Sequence, residues 1–150
     1  MRILVLGAGA TGGYFGGRLA EAGADVTFLV RARRAEELAQ GGLVILSPAG
    51  EFRGPVKTVL ADALKPDYDL VLLACKAYDL DGAIATIRPA MEPETRVLPL
   101  LNGMRHLDAL DAAFGRERVL GGTAQIGATL MPDGAVRHMS KFHLLTFGER

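Results

Sequence analysis

The chain has 150 residues, enough for one domain of ordinary size, and with 49% of them hydrophobic it can bury a real core. Seventeen basic and seventeen acidic residues cancel, which removes the electrostatic case for a nucleic-acid partner; basic residues are massed only at Arg31, Arg33 and Arg34. No apolar run approaches the ~18 residues that span a bilayer, so no membrane partner is expected, and the one cysteine, Cys75, excludes an internal disulfide and fits a reducing cytoplasm.

In chain order, residues 2–7 form an apolar run of strand formers, Arg2-Ile3-Leu4-Val5-Leu6-Gly7. Gly7-Ala8-Gly9-Ala10-Thr11-Gly12 follows at once, and a helix is predicted over 11–23 with Tyr14, Phe15, Leu19 and Ala22 on one face. Strand, G-x-G-x-x-G, helix is the signature of a dinucleotide-binding βαβ unit. Gly7 permits the tight turn off the strand. Gly9, lacking a Cβ, lets the backbone approach a pyrophosphate, and Gly12 lets the helix pack closely on the strand. The helix N-terminus then offers free N–H groups to the anion.

A second strand is predicted over 25–30 and a helix over 33–40 that stops at Gly41-Gly42. Residues 43–46 and 51–53 flank the turn-rich Ser47-Pro48-Ala49-Gly50 and read as a hairpin. Residues 69–75 are a run of the kind buried on both faces of a parallel sheet, so Cys75 reads as a small core residue. A helix over 80–88, a strand over 96–101 and a helix over 105–114 follow. From Val119 to Phe147 the rhythm changes to short β-like runs, split at Pro132-Asp133-Gly134 and at Met139-Ser140-Lys141; these read as antiparallel strands added to the sheet. The fold class is therefore α/β, a Rossmann-type doubly wound, mostly parallel sheet with antiparallel additions at its C-terminal end.

The residue after strand two selects between dinucleotides, an acidic one suiting a ribose 2′-OH and an arginine a 2′-phosphate. Arg31 stands there, which favours NADPH, and Arg33 and Arg34 add positive charge. The competing reading makes Arg33 and Arg34 a solvated helix start balanced by Glu36 and Glu37. Ligands in open α/β sheets bind beyond the carboxyl ends of the strands. Two polar residues fall at such ends: Lys76 after the 70–75 run, and Asn102 before Gly103. The blander alternatives are a lysine paired with Asp79 or Asp81, and an asparagine acting as helix N-cap or turn residue. His106, His138 and His143 match no metal spacing, and no metal is expected; Arg137 and His138 are expected on an exposed strand.

The sequence resembles the ketopantoate reductase (2-dehydropantoate 2-reductase) family. The matching stretches are Gly7 to Leu19, Val30-Arg31, Cys75-Lys76-Ala77-Tyr78-Asp79, Leu101-Asn102-Gly103-Met104, Leu120-Gly121-Gly122-Thr123 and Gly134-Ala135-Val136-Arg137-His138. They recur in family order over nearly the whole chain. The resemblance implies NADPH-dependent reduction of 2-dehydropantoate to pantoate, on the route to pantothenate and coenzyme A. It implies cofactor-binding residues at Gly7, Ala8, Gly9, Ala10, Thr11, Gly12 and Arg31. Lys76 and Asn102 match positions near the nicotinamide and substrate, and are candidates for catalysis as well as binding.

Family members are about twice as long. Their helical second half carries the general-acid lysine and a substrate-holding glutamate, and usually makes the dimer contact. On this reading residues 1–150 are the dinucleotide-binding domain, that second domain is absent, and the chain alone turns over little keto acid. A homodimer is among the partners the family suggests. Two rivals stand beside this: an NADP-dependent reductase of another 2-keto acid, and a non-catalytic NADPH-sensing module with an exposed apolar docking face.

Overall fold

The computed structural model describes all of residues 1–150. β1 (Arg2–Leu6) is the central strand of a five-stranded parallel sheet. Beside it lie β2 (Asp25–Leu29) and then β5 (Lys57–Val59) on one flank, with β6 (Leu70–Leu73) and β7 (Arg96–Pro99) on the other. Four α-helices join or follow these strands: α1 (Ala10–Glu21), α2 (Ala32–Gly41), α3 (Leu80–Ile87) and α4 (Arg105–Phe114).

Strand alternation explains the layers. Ile3 and Val5 of β1 point into a core of fifteen buried residues on the α1 side, with Tyr14, Phe28 and Ile45. Leu4 points into a second core of fifteen on the α3–α4 side, with Val71, Leu73, Ile87 and Leu110. Successive side chains on a strand face opposite ways, so a strand covered on both sides must be apolar throughout. That is why the runs at 2–6 and 70–73 carry no polar alternation beyond Arg2.

The rest of the chain corrects three expectations. The late β segments do not extend the parallel sheet. β8 (Gly121–Leu130) and β9 (Val136–Gly148) join the predicted hairpin, β3 (Leu43–Leu46) and β4 (Phe52–Gly54), in a separate four-stranded sheet ordered β4-β3-β9-β8. β3 pairs antiparallel with β4 and parallel with β9. α1 is sandwiched between the two sheets, and its glycines permit this. A Cβ on Gly16 would lie 2.7 Å from the Phe28 ring of the parallel sheet, and one on Gly17 2.6 Å from Ile45 of the mixed sheet.

Nor does Met139-Ser140-Lys141 break the last strand. β9 runs through it, and only the pairing slips: Ile126 faces His143 and Ala128 faces His138, so residues 139–142 stand opposite Gly127 alone. Ser140 organises the irregularity, its Oγ accepting from the Gly127 N–H at 2.8 Å and donating to the Phe142 carbonyl at 2.6 Å. Arg137 is exposed as expected, but His138 is buried. Neighbours on one strand cannot both face solvent when the other face is covered. His138 shares hydrogen bonds with Ser47 Oγ (2.8 Å) and the Phe142 carbonyl (3.0 Å) and stacks on His143, which bonds the hydroxyl of fully buried Tyr14. Strand β5 was not anticipated from the sequence; its three residues, Lys57-Thr58-Val59, are too few to show a period.

The sheet's first contact is a polar clip. The Arg2 N–H donates to Asp69 Oδ2 at 2.6 Å, and Arg2 Nη2 donates to Asp69 Oδ1 at 3.1 Å, tying β1 to the start of β6. These hydrogen bonds hold the Asp69 carboxyl at about 2, below its ordinary 3.8. A depressed carboxyl pKa gives stability that is complete above the unfolded value and is lost as pH falls through the folded one. Asp69→Asn should therefore flatten the acid limb of the stability profile between 3.8 and about 2. Urea titrations across that window test it, and parallel profiles for the two proteins would refute it.

Candidate functional site

The strand order reverses between β1 and β6, because the chain builds outward from β1 through β2 and then returns to β6 on the opposite flank. Beyond the carboxyl ends of strands at such a point a crevice opens. Here it is a cleft of about 940 Å³.

Its floor is the turn from β1 into α1. Gly7 has φ +88°, a conformation L side chains rarely adopt, and its N–H donates to the Leu29 carbonyl at 2.9 Å. Gly9 is the N-cap residue of α1; the helix has no side-chain cap and no acidic residue in its first turn. The first-turn amides are therefore left for an external anion. A Cβ built on Gly9 meets nothing within 4 Å, so the room beside it belongs to the cleft. Gly12 differs. It does not line the cleft, and a Cβ there would lie 2.5 Å from the Gly7 carbonyl oxygen. It shapes the site by packing and not by contact.

The walls bring the sequence candidates together. Gly7, Ala8, Gly9, Ala10, Thr11, Arg31, Lys76 and Asn102 all line this one cleft. Arg31 is the N-cap residue of α2, exposed and without an ion-pair partner. Lys76 is exposed just after β6 and pairs with neither Asp79 nor Asp81. Asn102 is exposed beside Gly103, whose φ is +80°, so it is a turn residue; the N-cap of α4 is Met104 instead. Among the lining side chains three cations, Arg31, Arg34 and Lys76, face one carboxylate, Asp79. That balance suits a ligand with several negative charges.

The other two predicted arginines part company. Arg33 is 91% exposed and pairs with Glu37 at 3.2 Å, the solvated helix start that composition allowed. Arg34 is drawn inward. Its Nη2 donates to the Ala8 carbonyl at 2.9 Å and to the Gly134 carbonyl at 3.0 Å, and its Nη1 pairs with Glu37. Its Nε is buried with no partner on the protein. Beside these groups a smaller recess of about 310 Å³, lined by Arg31, Arg33, Arg34, Glu37 and the 130–132 segment, adjoins the main cleft.

Sequence reasoning missed one wall. Ala61, Gly82, Ala83, Thr86 and Leu130 also line the cleft. The signal was present in α3: Gly82, Ala83 and Thr86 recur at helical spacing as small residues on one face, which leaves room for a ligand. Cys75 is only partly buried: it packs against the edge of the second core and also lines the cleft. Burial pushes its thiol pKa up, so it stays protonated and a poor nucleophile. No group of three or more His, Cys, Asp or Glu is placed to hold a metal ion, and no helix is long and apolar enough to cross a membrane.

The fold and this cleft define a Rossmann-type α/β domain with an open ligand cleft at its topological switch point. The profile of the family described as ketopantoate reductase PanE/ApbA matches residues 3–150, and the chain belongs to that family. It is 45% identical over 149 residues to an uncharacterized oxidoreductase, YkpB, of Bacillus subtilis, covering 99% of this chain and 49% of that one. It is 35% identical over 136 residues to the 2-dehydropantoate 2-reductase of Pyrococcus horikoshii, covering 91% and 44% respectively. The chain thus spans about half the length of the curated relatives it matches. Among solved structures it superposes on the 2-dehydropantoate 2-reductase of Geobacter metallireducens with a TM-score of 0.90 and 36% identity, covering 99% of this chain and 49% of that chain. A D-mandelate dehydrogenase solved with NADH and anilino(oxo)acetate superposes with a TM-score of 0.85 and 28% identity, covering 93% and 46%.

Proposed function

We propose that residues 1–150 bind NADPH in the cleft and form the cofactor-binding half of a cytoplasmic 2-dehydropantoate 2-reductase, completed by the helical second domain of the family. One observation carries this reading: the glycine turn, Arg31, Lys76 and Asn102, separated by up to 95 positions in sequence, converge on one cleft with an uncapped helix N-terminus at its floor. The residues present fit such a cofactor. Open space beside Gly9 admits a pyrophosphate, the α1 amides can bond it, and Arg31 can grip a 2′-phosphate with two hydrogen bonds.

The bound cofactor would supply the hydride. As a hydride reaches a carbonyl carbon, negative charge develops on the oxygen. The Lys76 ammonium and the Asn102 amide are donors that can meet that charge, and such preorganised donors are often worth several kcal/mol. Both can also orient the carboxylate and hydroxyl of a hydroxylated keto acid.

A second reading, reduction of another 2-keto acid, draws support from two findings. Identity to YkpB exceeds identity to the P. horikoshii reductase, and a D-mandelate dehydrogenase shares the fold. The test has two parts. Calorimetry should register NADPH binding to this chain, and no heat at millimolar ligand would end the proposal. Absorbance assays with NADPH and a panel of 2-keto acids should show little turnover by this chain alone. Rapid turnover would overturn the dependence on a second domain; the same panel run on the chain completed by the family's helical second domain would decide between the two readings by the preferred acid.

A further inference from the structure

Arg34 reads from sequence as one more cation at the phosphate end of the cleft, but its geometry is that of a strap. Its side chain is only 15% exposed. One nitrogen, Nη2, bonds two backbone carbonyls that lie far apart in sequence: Ala8 in the glycine turn of the parallel sheet and Gly134 in the turn joining β8 to β9 of the mixed sheet. Glu37 holds Nη1 from the same helix, which fixes the guanidinium plane. The turn it meets is itself closed, by Gly134 N–H to the Met131 carbonyl (2.9 Å) and Met131 N–H to the Ala135 carbonyl (2.8 Å). Gly134 has φ +87°, and a Cβ there would come 2.7 Å from Arg34 Nη1. The turn and the arginine are thus packed directly together. Leu130, just ahead of the turn, lines both the cleft and the adjoining recess.

We propose that Arg34 is a positioning residue for the dinucleotide: it straps the β8–β9 turn to the glycine turn and so sets the Leu130 flank of the cleft, leaving Arg31 to meet the ligand's extra phosphate. The proposal rests on the NADPH reading above. It separates two roles that charge alone would merge. A phosphate ligand needs a positive charge, and lysine can supply it. A strap needs a planar fork that reaches two carbonyls and a carboxylate at once, and a single ammonium cannot match that geometry.

The experiment compares the wild-type chain with Arg34→Lys and Arg34→Ala, measuring NADPH and NADH affinity by calorimetry and amide exchange over residues 131–135 in nucleotide-free protein. Both variants should weaken NADPH and NADH by the same factor, about tenfold, and should speed exchange at Met131 and Gly134. Arg34→Lys guards against a folding failure of the alanine variant. Loss confined to NADPH, or full retention of affinity by Arg34→Lys, would make Arg34 a phosphate ligand and overturn the strap. Unchanged exchange with dinucleotide binding intact would overturn it too. Failure of the wild-type chain to bind either dinucleotide would instead remove the reading beneath the proposal, an outcome distinct from both.

Discussion

Gly12→Ala should destabilise the protein and weaken dinucleotide binding, whereas Gly9→Ala should weaken binding and leave stability nearly unchanged. The contrast follows from where each new methyl group would sit. At Gly12 it would lie 2.5 Å from the Gly7 carbonyl oxygen, with Ala74 Cβ at 3.2 Å and Val5 Cγ1 at 3.3 Å. The first of these is backbone in a turn fixed by its bond to Leu29, so the helix must move instead. Alanine's better helix propensity returns about 1 kcal/mol, less than overpacking against backbone costs (about 2 kcal/mol), and the net loss should be on the order of 1 kcal/mol. Moving α1 also carries its first-turn amides away from the anion position. At Gly9 the methyl group meets nothing within 4 Å, and the backbone angles there (φ −86°, ψ −156°) suit any residue. It would project into the cleft where a pyrophosphate must approach, lowering affinity about tenfold or more. Urea unfolding and calorimetry on the two variants check this. Normal NADPH affinity in Gly9→Ala would place the anion elsewhere and defeat the cofactor reading.

Arg31→Ala should cut NADPH affinity by about ten- to a hundredfold, the loss of one or two charge-assisted hydrogen bonds, while NADH affinity changes little. The reason for a large effect at one residue is that its neighbours are engaged. Arg33 is paired with Glu37 in solvent, and Arg34 is bonded to two carbonyls and the same carboxylate. Arg31 alone of the three has no partner on the protein and lines both the cleft and the recess beside it. An unchanged ratio of NADPH to NADH affinity would refute the assignment. The comparison with Arg34 variants is informative in itself, since one substitution should alter selectivity and the other should not.

The sequence placed most of this site for local reasons. A run of apolar residues ending in Gly7, then Gly9 and Gly12, specifies strand, turn and helix within about fifteen residues, because each glycine answers a steric need of its immediate neighbours. Lys76 and Asn102 follow strands that announce themselves by unbroken apolar runs, and Arg31 follows one interrupted only at Thr27, so their position at the carboxyl end of a parallel sheet followed from chain order. What the sequence could not show was any contact made across long separations. β3 finds β9 through Ile45 and Val136, ninety-one positions apart, and the late strands thereby form their own sheet rather than extending the first. Separations of 91 and 100 positions likewise hid the burial of His138, which depends on Ser47, and the capture of Arg34 by Gly134. Periodicity reports which face of an element is apolar; it carries no label for the partner that will cover it. The glycine turn and the polar residues at the strand ends were therefore written locally, while the second sheet, the inward histidine and the arginine bonded to Gly134 were decided only when distant segments packed.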